Sequence, residues 1–227
     1  MVRAFAREEG GSTPLSISLV VTPAPGAYFP GASLTAGDFV SGYTVPGLRA
    51  SATGEICVAA QCEKFDSAQS YHDHNWGIWR DVIWDWGAAR AGSYTILYGR
   101  VIGPQRLGER TPLLVYLVDS LGFRAVFRPK SISYEDNRGI VVDGRTVRVP
   151  SRATFVDVRD ADTLRVELNI EDAIGTDTRR QPLGLSQGSY NAERPHFIQM
   201  KGVARISGRV GGAPISGVGT GFFETYR

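Results

Sequence analysis

The sequence predicts an all-β protein of antiparallel strands, a barrel or a sandwich, and three observations carry that expectation. Apolar residues alternate with period two or run continuously, and no stretch holds a convincing 3.6-residue period. The punctuation is glycine and proline, 27 and 12 of them. The strand candidates that result are numerous, short and evenly spaced, as in antiparallel barrels and sandwiches.

Taken in order, residues 1–14 read as loop, 16–22 as the first strand, and 23–37, rich in Pro, Gly and Ala, as loop again. Further strand candidates are 41–45, 52–58, 78–86, 93–102, 113–119, 124–128, 145–149, 163–171, 196–207 and 217–226. The clearest is 163–171, where Leu164, Val166, Leu168 and Ile170 share one face and Arg165, Glu167, Asn169 and Glu171 the other. Residues 113–118 are apolar on both faces, which predicts a strand buried between layers. Residues 172–195 hold few hydrophobes and many turn formers; they read as a flap over a barrel mouth or as a long surface loop.

The 227 residues suit one large β domain, or one domain plus part of another. A hydrophobic share of 42 % against 21 % charged is enough for a real core. The 25 basic and 23 acidic residues are interspersed, so the chain lacks the electrostatic footprint of a nucleic-acid binder. No apolar run approaches the ~20 residues of a membrane-spanning helix, which excludes stable membrane insertion of that kind. The run at 15–21 is short and preceded by Glu8 and Glu9, unlike a secretory signal, so the chain reads as cytoplasmic.

Cys57 and Cys62 are the only cysteines. A two-residue turn at Ala59-Ala60 would set them directly across a hairpin, but Ala-Ala is a poor hairpin turn. Two buried thiols in a reducing compartment are therefore expected over a cross-strand disulfide. For a metal the pair supplies too few ligands.

All four tryptophans and two of the three histidines fall within residues 71–87, Tyr71-His72-Asp73-His74-Asn75-Trp76-Gly77 followed by Trp79 and by Trp84-Asp85-Trp86-Gly87. Clustered indoles beside His, Asp and Asn have the composition of an apolar small-molecule pocket with a few placed polar groups. The chain ends in Gly221-Phe222-Phe223-Glu224-Thr225-Tyr226. These three elements, in this order, resemble the lipocalin-like family of carotenoid 1,2-hydratases (hydroxyneurosporene synthases), AttH-type proteins and fungal decalin-forming Diels–Alderases. The resemblance covers about residues 65–227.

That resemblance implies a lipocalin-like antiparallel β-barrel over residues 66–227, with residues 1–65 as a partial second β-sheet or a barrel extension. Members usually carry two such halves and are longer. It also implies a cofactor-free pocket for a long apolar polyene, polyketide or terpenoid chain. The leading expectation is cyclisation, Diels–Alder-type included. The alternatives are hydration of an alkene and non-catalytic carriage. In the family's hydratases an acid is expected near a Tyr downstream of the tryptophan strand. Here Tyr98 is followed by Gly99 and Arg100, which favours the cyclase. The partner implied is a small hydrophobic substrate; a homodimer stays open.

Each site residue has a functional and a plainer reading. His72 and His74 alternate onto one side of an extended segment, but only His196 remains as a further histidine, so a hydrogen-bonded polar wall is preferred over a metal. Asp73 and His74 read as an acid–base pair, or as a turn cap and a brace for Trp76. Trp84 and Trp86 share a face opposite Ile83 and Asp85, to stack on substrate or to pack the barrel end. Phe222, Glu224 and Tyr226 share another face, read as internal, with Glu224 a proton donor or the ion-pair partner of Arg100. Tyr71, Tyr98 and Tyr116 are candidate donors to a substrate carbonyl. The catalytic set is thus His74, Asp73, Glu224 and Tyr98; the binding set is Trp76, Trp79, Trp84, Trp86, Tyr71, Asn75, Tyr116 and Phe222.

Overall fold

The computed structural model describes residues 1–7, 11–36, 39–77, 82–103, 111–180 and 194–227. In chain order its strands are β1 (Val2–Arg7), β2 (Pro14–Pro23), β3 (Phe29–Ala36), β4 (Phe39–Val58), β5 (Gln61–Trp76), β6 (Ile83–Ala91), β7 (Tyr94–Ile102) and β8 (Leu114–Asp119). They continue as β9 (Gly122–Phe127), β10 (Ser133–Glu135), β11 (Arg138–Val142), β12 (Arg145–Val149), β13 (Arg152–Arg159), β14 (Asp162–Asp177), β15 (His196–Val210) and β16 (Ala213–Tyr226). A single 3-10 turn, Thr178–Arg180, follows β14. No described helix is long and apolar enough to cross a membrane.

The chain divides into two compact units, Met1–Trp76 and Gly77–Arg227. Position 65, the division expected from sequence, lies inside β5. In the first unit β4 is the organising strand. Its later half pairs with β2, its earlier half with β3, and β5 runs along it from Trp76 opposite Gly42 to Gln61 opposite Val58. Every residue of β1 is exposed, so this edge strand is held by its backbone ladder to β2 and not by a buried face.

In the second unit the nine-stranded sheet runs β10-β13-β14-β15-β16-β6-β7-β8-β9. Side-chain bonds draw its far strands together. The backbone N–H of Arg128 donates to Asp157 at 2.7 Å, and the Arg159 guanidinium to the Val126 carbonyl at 3.0 Å. The curl encloses an apolar core holding Leu164, Val166, Leu168 and Ile170 of β14, the face expected from the alternation, with Ile198, Phe155 and Phe223. Among residues 113–118, Leu113, Val115, Leu117 and Val118 are buried while Leu114 and Tyr116 are half-buried. Two hairpins turn on residue pairs at positive φ, Asp143-Gly144 (47° and 76°) and Gly211-Gly212 (57° and 81°), as two-residue I′ turns require. The molecule is all-β, with curled antiparallel sheets of the lipocalin-like kind.

Several expectations need correction. β1 and β3 lie in the stretches read as loop, and β5, β10, β11 and β13 lie where no strand is expected. β1 and β5 lack a strong apolar alternation because their side chains are all or mostly exposed and backbone pairing holds them in place. The stretch read as flap is strand as far as Asp177; positions 181–193 are outside the described residues. Cys57 and Cys62 do face each other across the β4–β5 hairpin, but as a disulfide with Cα atoms 4.0 Å apart, not as two buried thiols. The Ala59-Ala60 turn forms with Ala59 at φ 53°, pinned where the Ala59 N–H donates to the Pro14 carbonyl at 2.8 Å.

Candidate functional site

Strand β6 carries the tryptophan pair and separates two chemically different faces of the second unit. Period-two alternation puts Trp84, Trp86 and Ala88 on one face and Asp85, Gly87 and Ala89 on the other. The second set faces the core with Tyr98 and Phe223. On β16, Phe223 and Thr225 take that interior face at 1 % and 0 % exposure. Phe222, Glu224 and Tyr226 therefore point away from the barrel interior, contrary to the internal placement expected. The alternation had been given the wrong sign: Phe223 is needed against Tyr98, and Thr225 against Asp85.

The Trp84 face is an aromatic wall with one carboxyl in it. The Trp84 ring lies edge-on to Tyr226 at 4.9 Å and to Phe197 of β15 at 5.5 Å, and Phe197 and Tyr226 are 5.2 Å apart. The Trp84 indole N–H donates to Glu224 at 2.9 Å, and the Gln199 amide approaches its other oxygen at 3.5 Å. Glu224 and Phe222 are half-buried. Burial, with the nearby Glu224 charge second, pushes the Tyr226 phenol well above its ordinary value, so it stays protonated. Trp86, 8 % exposed, lies across Gly99 of β7; a Cβ there would sit 2.4 Å from its ring.

Inside the barrel, the same strands build a polar node that sequence reasoning missed. Asp85, 2 % exposed, accepts from the Arg100 Nε at 2.6 Å, the Tyr134 hydroxyl at 2.6 Å and the Thr225 hydroxyl at 2.7 Å. Arg100 thus pairs with Asp85 and not with Glu224 as expected; the two face each other across β6–β7. Burial first, and then Asp85, hold the Tyr134 phenol far above its ordinary value, so it remains a donor. The Arg227 guanidinium covers the Tyr134 ring at 4.4 Å and bonds Asp136 at 3.0 Å. His196 sets Nδ1 3.2 Å from the Arg227 carbonyl, while its Nε2 is buried with no hydrogen-bond partner among the described residues. Opposite it, Arg179 hydrogen bonds hold Asp177 well below the usual carboxylate range. The available signal was Asp85 itself, a charge in a strand apolar on both faces, which must be paired to be buried.

Tyr98 is a core side chain. It packs 5.1 Å from Phe155 and 6.4 Å from Phe223, and burial raises its phenol well above the ordinary value. Tyr116 is half-buried on the far side of β8 from Val115 and Leu117, 5.0 Å from the exposed Phe123.

The remaining candidates belong to β5 of the first unit. Tyr71, Asp73 and Asn75 alternate onto one face, and His72, His74 and Trp76 onto the other. Asp73 accepts from the Tyr71 hydroxyl at 3.0 Å, whereas His74 stacks on Trp76 at 5.9 Å. Being neighbours on an extended strand, Asp73 and His74 are not brought together as a pair, nor do they lie in the sharp turn envisaged. His72, His74 and Asn75 are exposed, and Trp76, 41 % exposed, lies across Gly42. Among the described residues, no group of three potential metal ligands includes a histidine. Trp79 lies outside the described residues.

No family model and no curated protein matches the chain. Solved structures do. Kievitone hydratase from Nectria haematococca aligns with a TM-score of 0.56 at 15 % identity, covering 99 % of this chain. An AttH-type protein from Nitrosomonas europaea aligns at 0.55 and 15 %, again over 99 % of this chain and over 68 % of its own. The Diels–Alderase CghA, in complex with Sch210972, gives 0.52 and 14 %, over 99 % of this chain and 67 % of its own. This chain spans only 64 % of the length of kievitone hydratase. Likeness at such low identity is likeness of fold, and it falls on the group that the three sequence elements resemble. The chain has the all-β, lipocalin-like fold of the AttH, hydratase and Diels–Alderase structures.

Proposed function

We propose that the chain is a cofactor-independent enzyme that binds a long apolar polyene, polyketide or terpenoid against Trp84, Phe197 and Tyr226 and cyclises it. The carrying observation is Glu224 held by the Trp84 indole N–H within that aromatic cluster. An apolar substrate covering the wall removes water from Glu224 and so favours its protonated form, and that carboxyl, oriented by a neutral donor beside ring faces, can deliver a proton to an alkene. The O–H bond breaks, a C–H bond forms from the alkene's electron pair, and the resulting cation is met by the negative faces of the rings. Attack by a second alkene closes a C–C bond, and the Glu224 carboxylate takes up the proton lost from the adjacent carbon. The product is an isomer of the substrate and no co-reactant is needed. For a pericyclic route the same carboxylic acid donates a hydrogen bond to an activating carbonyl, and positioning supplies most of the rate.

Hydration is the second reading, supported by the fold shared with kievitone hydratase: water captures the cation in place of the second alkene. His74 and Asp73 are given no step. A panel of linear polyenes and prenyl-bearing phenols, followed by product mass, separates the readings. An isomer means cyclisation, a gain of one water means hydration, and binding without conversion means carriage. Glu224→Gln should lower kcat and kcat/KM together, by roughly a hundredfold, with an unchanged melting curve and intact quenching of tryptophan emission by the bound polyene. Full turnover in that variant would refute the assignment.

A further inference from the structure

We propose that Glu55, Cys57 and Cys62 form a redox-gated site for a thiophilic divalent cation of the zinc class, closed as the disulfide and opened by a dithiol reductant. The donor atoms of the three side chains lie within 4.8 Å of one another. Glu55 and Cys57 are two apart on β4 and share a face, and Cys62 of β5 is directly opposite Cys57. The third ligand that the cysteine pair lacks in sequence is thus supplied by the strand. Zinc takes bonds of about 2.3 Å to sulfur and about 2.0–2.2 Å to carboxylate oxygen; once reduction frees the two sulfurs to move apart, these three donors can supply them, and a water completes four-coordination. Two thiolates, a carboxylate and a dication leave one negative charge, and Lys64, opposite Glu55 on the same face, offsets it.

The setting favours a switch over a staple. Only five positions separate the cysteines, and the β2–β4–β5 ladder already fixes their register, so closing so short a loop adds little stability. Cys62 is exposed, within reach of a reductant. Reduction is a two-electron exchange: the protein disulfide becomes two thiols while a thioredoxin-class dithiol becomes a disulfide. Metal binding then releases both thiol protons.

The test uses the full chain, reduced anaerobically by a thioredoxin-class dithiol, freed of reductant and titrated with Co²⁺. The expected result is one Co²⁺ per chain with a thiolate-to-cobalt charge-transfer band, displaced by Zn²⁺, and no band in the oxidised protein. Cys62→Ser should abolish the band, as should alkylation of the reduced parent, which needs no substitution. Glu55→Gln should weaken binding at least about tenfold, since losing a direct ligand should cost no less than losing a supporting one. A disulfide that resists the dithiol until the chain unfolds overturns the proposal. So does a reduced protein without the band, or a Glu55→Gln variant with parental affinity.

Discussion

Trp76 crosses Gly42 in the first unit and Trp86 crosses Gly99 in the second, and near each on its own strand is a carboxylate bonded by a tyrosine, Asp73 by Tyr71 and Asp85 by Tyr134. Both glycines would set a Cβ 2.4 Å from the opposing ring. The surroundings differ. Trp76 is 41 % exposed and Trp86 8 %; Asp73 has the one Tyr71 bond at 3.0 Å, whereas Asp85 is buried under three donors. One local device is therefore decoration where it is exposed and structural necessity where it is buried, because only burial removes water as the alternative partner.

The largest expected effect is at the carboxylates. Asp85→Ala leaves Arg100, Tyr134 and Thr225 without their shared acceptor and should destabilise by about 3–5 kcal/mol. Asp73→Ala removes one half-buried hydrogen bond and should cost only ~1 kcal/mol. Urea unfolding of the two variants gives the contrast; equal losses would break it.

The glycines come next. Gly99→Ala forces Trp86 against packed neighbours and should cost about 1–3 kcal/mol. At Gly42 the exposed Trp76 ring can swing into solvent, leaving only the Ala32 carbonyl at 3.0 Å to give way, and the same substitution should cost less, about 1 kcal/mol or below. Comparable melting shifts in both would mean that Trp76 is as confined as Trp86.

Alkaline pH gives the subtlest contrast. Tyr98, Tyr134 and Tyr226 of the second unit all have phenols raised above the ordinary value of 10.0, chiefly by burial. A raised folded-state value means that the native state keeps protons the unfolded chain releases. Its stabilising contribution is complete below pH ~10 and is lost as pH rises beyond that. Phenolate absorbance should therefore show a late-titrating group of tyrosines that ionise as the protein unfolds. Tyr134→Phe should reduce that group by one. In the first unit Tyr43 carries such a shift, again from burial. Were all nine tyrosines to titrate together near pH 10, the closed interior of the second unit would be refuted.

Legibility followed the same divide. β14 was readable to the residue face because its alternation is set by burial, and Leu164, Val166, Leu168 and Ile170 are all in the core. β1 and β5 were invisible because their side chains are mostly exposed and their reason for being strands is the neighbouring backbone. The tryptophan window was read as one site, yet its two ends lie in different compact units, and adjacency in sequence had suggested an Asp73–His74 pair that an extended strand forbids. The Asp85 node went unseen because two of its three partners are 49 and 140 positions away.

By itself, the sequence determined the strand class, the composition of the faces of strands such as β14 and the group of folds to which the chain is similar. These follow from local periodicity, from glycine and proline punctuation, and from three short elements in order. Only the tertiary structure decided which face is interior. Alternation tells which side chains travel together, but the sign of that alternation is chosen when the sheet curls and selects Phe223 and Thr225 over Phe222 and Glu224 for its inside. That one choice turns Glu224 from a core acid into a carboxyl on an aromatic wall, and makes Asp85 the charge the core must satisfy.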